Sequence, residues 1–269
     1  MHGLGNDFIL IDNRDGKIGD AEEAALARKL CERRFSVGAD GLLLLSNSSV
    51  ANVRMRILNA DGSEAEMCGN GIRCFAKYCY ENGVVTKTQF TVDTLAGIKQ
   101  VWLTVNNNRV DAVRVDMGVA EWERGKIPMA GEGSCLNCEL RVEEESYRVT
   151  CLSMGNPHCV VLVENVEEIP VDYVGPIIEN HEAFPQRTNV EFVQILKRDA
   201  IKVRVWERGC GETLACGTGA CASAAAAHRL GHVSPKVKVH LIGGILEVAV
   251  ANHVFLSGPA EKVFEGTIE

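Results

Sequence analysis

The chain has 269 residues, 46% of them hydrophobic and 24% charged, with a formal net charge of −8. That is the composition of a globular protein with a core of ordinary size, and the length suits two domains better than one. The acidic balance gives no electrostatic ground for a nucleic-acid or membrane partner, and no apolar run reaches transmembrane length.

The opening residues, MHGLGNDFIL, show no basic leader, apolar h-region or cleavage site. DFILID (7–12) predicts a strand, and the Asp-led spacing of 20–34 predicts a helix. GLLLLS (41–46) and the alternating NVRMRILN (52–59) predict two more strands. A turn, ADGSEAEMCGNG, then leads into a helix ending near Asn82, stopped by Gly83. Strands are expected at 86–93, 97–105 and 109–116. The pattern weakens over 117–133, and the domain boundary is expected at its start: 1–116 with a returning segment, 258–269, against 117–257. The second half predicts strands at 136–142, 146–152 and 158–163, a helix at 172–180, and strands at 188–195 and 200–206. A turn, ERGCGETLACGTG, enters an Ala-rich helix ending at Leu230 and stopped by Gly231. A hairpin pivots at 243–244, and the last strand ends near Leu256.

Eleven cysteines lie along the chain: Cys31, Cys68, Cys74, Cys79, Cys135, Cys138, Cys151, Cys159, Cys210, Cys216 and Cys221. An odd count without a leader points to reduced thiols in the cytoplasm, most of them acting as small buried hydrophobes. Two stand apart. CGNGIR (68–73) and CGTGAC (216–221) are the same short phrase, 148 residues apart. At that offset Arg56 falls on Arg204, Glu64 on Glu212, Gly69 on Gly217, Gly71 on Gly219, Ala76 on Ala224 and Gly83 on Gly231. With small shifts, LGND (4–7) resembles MGNP (154–157), and 92–101 resembles 239–248. A chance recurrence of Gly-x-Gly would not extend over a strand, a turn and a helix. The expectation is two homologous domains with a ligand site in the cleft between them.

Each thiol stands where a turn enters a helix. Backbone N–H groups and the helix dipole there attract a carboxylate. The same field is expected to lower a thiol pKa from roughly 8.5 toward neutrality. A thiolate on one side of a bound amino acid can remove the α-proton, and a thiol on the other side can return one to the opposite face. N–H groups aimed at the carboxylate stabilise the charge that builds as the α-carbon loses its proton. The reaction these parts suit is two-base racemisation or epimerisation.

MHGLGNDF (1–8), NADGSEAEMCGNGIRC (59–74), SMGNPHCV (153–160), RTNVEF (187–192) and ERGCGETLACGTGACA (207–222) resemble diaminopimelate epimerase, in that family's order and over essentially the whole chain. The resemblance implies an α/β (α+β) fold of two similar domains, each a curved mixed sheet around a central helix. It implies interconversion of LL- and meso-diaminopimelate without pyridoxal phosphate, metal or other cofactor, in lysine and peptidoglycan precursor synthesis, by a cytoplasmic homodimer. It makes Cys68 and Cys216 the acid–base pair, with His158 and Glu207 near the thiols and setting their protonation. Asn6, Asn59, Asn156, Asn189, Glu207 and Arg208 would contact the substrate's amino and carboxylate groups. Gly69, Asn70, Gly217 and Thr218 would offer N–H groups to the reacting carboxylate. Two features depart from the family: Gly41 stands where some members have Gln, and the chain starts at MHG, where members usually carry a few more residues of strand.

Singly, these residues have plainer readings: His158 as a cap or core residue, Asn59 and Asn189 as turn residues, Glu207–Arg208 as a surface pair. Glu64 and Glu212 read as structural. Three rival functions remain open at this level. CLNC (135–138), with Cys151 and Cys159, suggests a metal-binding module, though not with the spacing of a zinc ribbon. A proline racemase-like isomerase on the same fold typically has Cys-Gly-His where this chain has Cys-Gly-Asn. A thiol–disulfide oxidoreductase would use the same two thiols, whose oxidation is better read as a liability. Phe264, in EKVFEGTIE, is a candidate dimer contact.

Overall fold

The computed structural model describes residues 1–267. Ile268 and Glu269, the end of the returning segment, lie outside the described residues. The chain divides into two compact units: Met1–Asp116 with the stretch from Ser257 onward, and Met117–Leu256.

Unit 1 runs β1 (His2–Gly3), β2 (Asn6–Asp12), α1 (Asp20–Cys31), β3 (Gly41–Ser46), β4 (Val53–Asn59), β5 (Glu64–Ala65), α2 (Gly69–Glu81), β6 (Gln89–Thr94), β7 (Gly97–Asn106) and β8 (Arg109–Asp116). β1 and β2 form a hairpin, β2 and β3 are parallel, and β3 and β4 antiparallel. β4 then pairs in parallel with β6, and β6, β7 and β8 follow antiparallel. β5 doubles back on the end of β4.

Unit 2 contains β9 (Cys138–Val142), β10 (Glu145–Ser153), β11 (Pro157–Val163), α3 (Val171–Glu179), β12 (Asn189–Lys197), β13 (Ala200–Glu207), β14 (Gly211–Thr213), α4 (Gly217–Arg229), β15 (Lys236–Leu241) and β16 (Gly244–Val250). Its pairing order is that of unit 1. β10–β11 is the hairpin, β11–β12 parallel, β12–β13 antiparallel, β13–β15 parallel and β15–β16 antiparallel, with β14 folded back on β13. A final strand, β17 (Val254–Gly258), spans the point at Leu256–Ser257 where the chain passes from unit 2 to unit 1.

Each mixed sheet wraps a helix. α2 packs on β1, β2, β3, β4, β7 and β8, and α4 on β10, β11, β12, β13, β15 and β16. α4 is buried from Gly219 to Ala227, and its run of alanines allows strands to approach from every side. α1 and α3 cover the other sheet faces. β3 is therefore enclosed on both sides, which explains why GLLLLS is apolar without alternation. Leu42 and Leu44 meet Ala27 and Cys31 of α1, while Leu43 points to α2.

α1 stops at Cys31 rather than continuing to residue 34. Glu32 leaves helical geometry, and Arg33 turns away to grip Asp7 and Asp40 at 2.5 and 2.9 Å. β1, β5 and β14 were not anticipated, since two- and three-residue strands carry too little sequence pattern.

Candidate active site

The two thiols are the N-caps of the two central helices. Cys68 adopts φ −140° and ψ 118°, and its sulfur accepts the Gly71 N–H at 3.4 Å. Cys216 adopts φ −109° and ψ 119°, and accepts the Gly219 N–H at 3.3 Å. In each case the cap residue is extended, and the glycine three positions after it admits the sulfur. The N–H groups of Gly69 and Asn70, and of Gly217 and Thr218, open the helices, where intrahelical acceptors are missing.

In unit 1 the Cys68 thiol donates to Asn6 Oδ1 at 3.6 Å, and Asn70 Nδ2 donates to the same oxygen at 3.2 Å. Asn6 Nδ2 in turn donates to Asp40 at 2.8 Å. Arg73, fully buried, donates to Asn70 Oδ1, Gly69 O and Pro259 O, and so fixes the helix start from behind. Asn59 is exposed and tied within its turn to Ser63. A methyl group built on Gly41 would come within 2.8 Å of Leu58 O and 3.3 Å of Phe8. No longer side chain fits at Gly41 without moving the backbone of β4.

In unit 2 a row of hydrogen bonds ends at the sulfur. Glu191 Oε1 lies 2.6 Å from His158 Nδ1, and His158 Nε2 lies 2.9 Å from Asn156 Oδ1. Asn156 Nδ2 donates to Thr218 Oγ1 at 3.4 Å, and Thr218 Oγ1 lies 3.5 Å from Cys216 Sγ. Glu207, at the end of β13, accepts from Thr213 at 2.5 Å. Asn189 is buried: it donates to Pro157 O at 2.8 Å and accepts the Arg208 N–H at 2.9 Å. Its amide is thereby used to hold the Glu207–Arg208 corner. The Arg208 guanidinium donates to Gln186 O.

The lowered thiol pKa expected from the helix dipole does not hold at Cys216. Burial, then the neighbouring carboxylates of Glu207 and Glu191, push this thiol well above its ordinary value, and the bonds from Thr218 and Gly219 pull only partly against them. Burial and two carboxylates outweigh one helix start.

Glu64 and Glu212 are held in equivalent bidentate pairs. Arg56 reaches Glu64 through two bonds of 2.9 Å, and Arg204 reaches Glu212 at 2.7 and 3.0 Å. Cys31, Cys74, Cys79, Cys135, Cys138, Cys151, Cys159 and Cys216 are free of disulfides. Cys138, Cys135, Cys151 and Cys159 are linked thiol to thiol, and the bond from Cys151 together with burial pushes Cys135 upward. This row is packing in the core of unit 2. Among the described residues, no group of three or more His, Cys, Asp and Glu is placed to hold a metal ion, and no helix is long and apolar enough to cross a membrane.

Sequence reasoning did not pick out Glu191, although it lies inside RTNVEF. The available signal was an acid in an otherwise apolar strand: β12 is buried from Asn189 to Val193. Val190 and Phe192 pack toward α3, which turns Glu191 toward α4.

A sequence model of the family described as Diaminopimelate epimerase matches residues 1–123 and 150–263. The Diaminopimelate epimerase of Moorella thermoacetica is 54% identical over 271 residues, covering 99% of this chain and 96% of its own. That of Pelotomaculum thermopropionicum is 53% identical over 268 residues, covering 98% and 96%. Among solved structures, a hydroxyproline epimerase from Agrobacterium vitis is similar with a TM-score of 0.70 at 16% identity, over 96% of this chain and 87% of that one. Identity that low carries the fold and nothing finer.

Proposed function

This chain belongs to the diaminopimelate epimerase family, and we propose that Cys68 and Cys216 are the two proton carriers of its reaction. The enzyme is an isomerase that interconverts LL- and meso-diaminopimelate, a step of lysine biosynthesis. Inversion needs a proton removed from one face of the α-carbon and another delivered to the opposite face. A thiolate takes the α-hydrogen, the C–H electron pair passes into the carboxylate as an enediolate, and the second thiol returns a proton to the carbon. The first sulfur ends protonated and the second ends as thiolate, so the reverse reaction uses the same pair with roles exchanged. N–H groups of Gly69, Asn70, Gly217 and Thr218 oppose the growing carboxylate charge. Asn6, Asn59, Asn156, Glu207 and Arg208 supply the donor, acceptor and ionic contacts that read the amino and carboxylate groups. Asn189 contributes by holding the Arg208 corner.

One observation carries this reading: the same thiol N-cap opens the same buried helix in both units. Cys68→Ala and Cys216→Ala are each expected to cut epimerisation by about 10³-fold or more with an unchanged circular dichroism spectrum. Near wild-type turnover by either variant would sink the assignment. The fold is shared with proline-type epimerases, so turnover of proline but not of LL-diaminopimelate would replace the substrate reading. We further propose a homodimer in the cytoplasm. Exposed Val263 and Phe264 support the dimer, and the odd cysteine count supports the reducing compartment. Sedimentation equilibrium showing only monomer at micromolar concentration would refute the dimer.

A further inference from the structure

The two units repeat strand for strand, yet the ground beneath their helix starts differs in kind. A methyl group built on Gly71 would meet Leu43 at 3.3 Å, Cys68 Cβ at 3.4 Å and Phe8 at 3.5 Å. Built on Gly219, it would meet Glu191 Oε1 at 2.9 Å and Cys216 Sγ at 3.3 Å. The registers make these places equivalent. Phe8 pairs with Gly41 and His158 with Asn189 across the parallel strands, and Leu43 and Glu191 each follow two residues later, facing the central helix. Where unit 1 has Phe8 and Leu43, unit 2 has a buried imidazole and a buried carboxylate, both fully inaccessible. Glu191 Oε2 is also buried, with no hydrogen-bond partner among the described residues. An acid in a strand core, half unsatisfied, costs stability that a leucine would not.

We infer that Glu191 is a positioning residue that makes the two thiols unequal, keeping Cys216 as the protonated member of the pair. The inference rests on the two-thiol reading of the site. Asn156 offers its Nδ2 to Thr218 and its Oδ1 to His158, so His158 Nε2 carries a hydrogen. The hydrogen on the other side is shared at 2.6 Å with Glu191. The Glu191 carboxylate stands beside the sulfur and opposes a second negative charge there. When Cys216 gives its proton to the α-carbon, the shared proton moves from His158 Nδ1 to Glu191 Oε1. Nε2 still donates to Asn156, and the carboxyl, once protonated, no longer repels the new thiolate. Among the described residues, the charged groups that act on Cys216 are Glu207 at the end of β13 and Glu191 on β12, with His158 on β11 behind Glu191. Thr218 and the Gly219 N–H on α4 complete the set.

The test is iodoacetamide labelling across pH, read cysteine by cysteine by peptide mass spectrometry, on the full chain without substrate. In the wild type the labelling midpoint of Cys216 is expected above that of Cys68. Glu191→Gln, which keeps the shape and a bond to His158 but removes the charge, should lower the Cys216 midpoint by about one pH unit. Cys216 labelling at a fixed pH below the midpoint then rises about tenfold, while the Cys68 midpoint stays in place. Should that variant fail to fold, Glu191→Leu copies Leu43 at the same place in unit 1 and carries the same expectation. An unmoved Cys216 midpoint in a folded variant overturns the proposal, and so does an equal shift of both thiols. None of these readouts needs diaminopimelate turnover, so failure of the epimerase reading would show separately, in the substrate assay.

Discussion

Cys216 is held between opposed influences. Burial and two carboxylates keep its proton on, while Thr218 and the Gly219 N–H favour its loss. Thr218→Val removes one of the two groups that favour the thiolate. The thiol should then hold its proton to higher pH, and the limb of the kcat profile that reports Cys216 should move toward alkaline pH by about one unit. A profile unchanged in position, measured by initial rates from acid to alkaline buffer, would remove Thr218 from the acid–base machinery. The direction is opposite to that for Glu191→Gln, so the two variants separate a donor from a repelling charge. At this scale the repeated Cys-Gly-x-Gly phrase made both thiols legible in sequence, because a thiol before a glycine-opened helix has few purely structural reasons. Glu191 was not legible. Its carboxylate acquires meaning only once the register of β11 and β12 sets it beside His158 and under Gly219.

The helices and long strands followed directly from apolar spacing and from glycine stops. The small strands did not, although they place important charges. β5 and β14 bring Glu64 and Glu212 back onto β4 and β13, where Arg56 and Arg204 meet them. Arg56 also contacts Glu23, which is buried. Burial raises the Glu23 carboxyl above its ordinary value, and Arg56 opposes that rise. A carboxyl raised by folding stabilises the fold below its unfolded pKa and loses that contribution as pH rises through the folded value. Arg56→Ala should therefore destabilise the protein by about 3 kcal/mol at neutral pH, where it strands a buried charge. The deficit should shrink as pH falls through the carboxylate range. Urea melts at neutral and acid pH check this, and a deficit independent of pH would contradict it. α3 presents a second test. A methyl group on Gly175 would meet the Trp206 ring at 2.6–2.8 Å. Gly175→Ala should cost about 1–3 kcal/mol in the same melts despite the better helix propensity of alanine. A neutral or stabilising result would mean that α3 is free to shift on the sheet.

Across the whole molecule, the offset of 148 residues read from the sequence reappears as two units with one pairing order. What is kept between them is the scaffold: hairpin, parallel pair, folded-back short strand, bidentate Arg–Glu clamp and thiol-capped helix. What differs is the chemistry beneath the thiol, apolar in one unit and an imidazole–carboxylate pair in the other. A chain that must act on one centre of a substrate with two amino-acid ends has reason to break its own repeat there. The most direct measurement is epimerisation of LL-diaminopimelate in deuterated water without added cofactor, with product and recovered substrate analysed early in the reaction. Two thiols sharing the work predict deuterium at the inverted carbon of the first meso product and almost none in recovered LL substrate. Deuterium entering recovered substrate as fast as product would mean a single base serves both faces, and would contradict the assignment of Cys68 and Cys216 as partners.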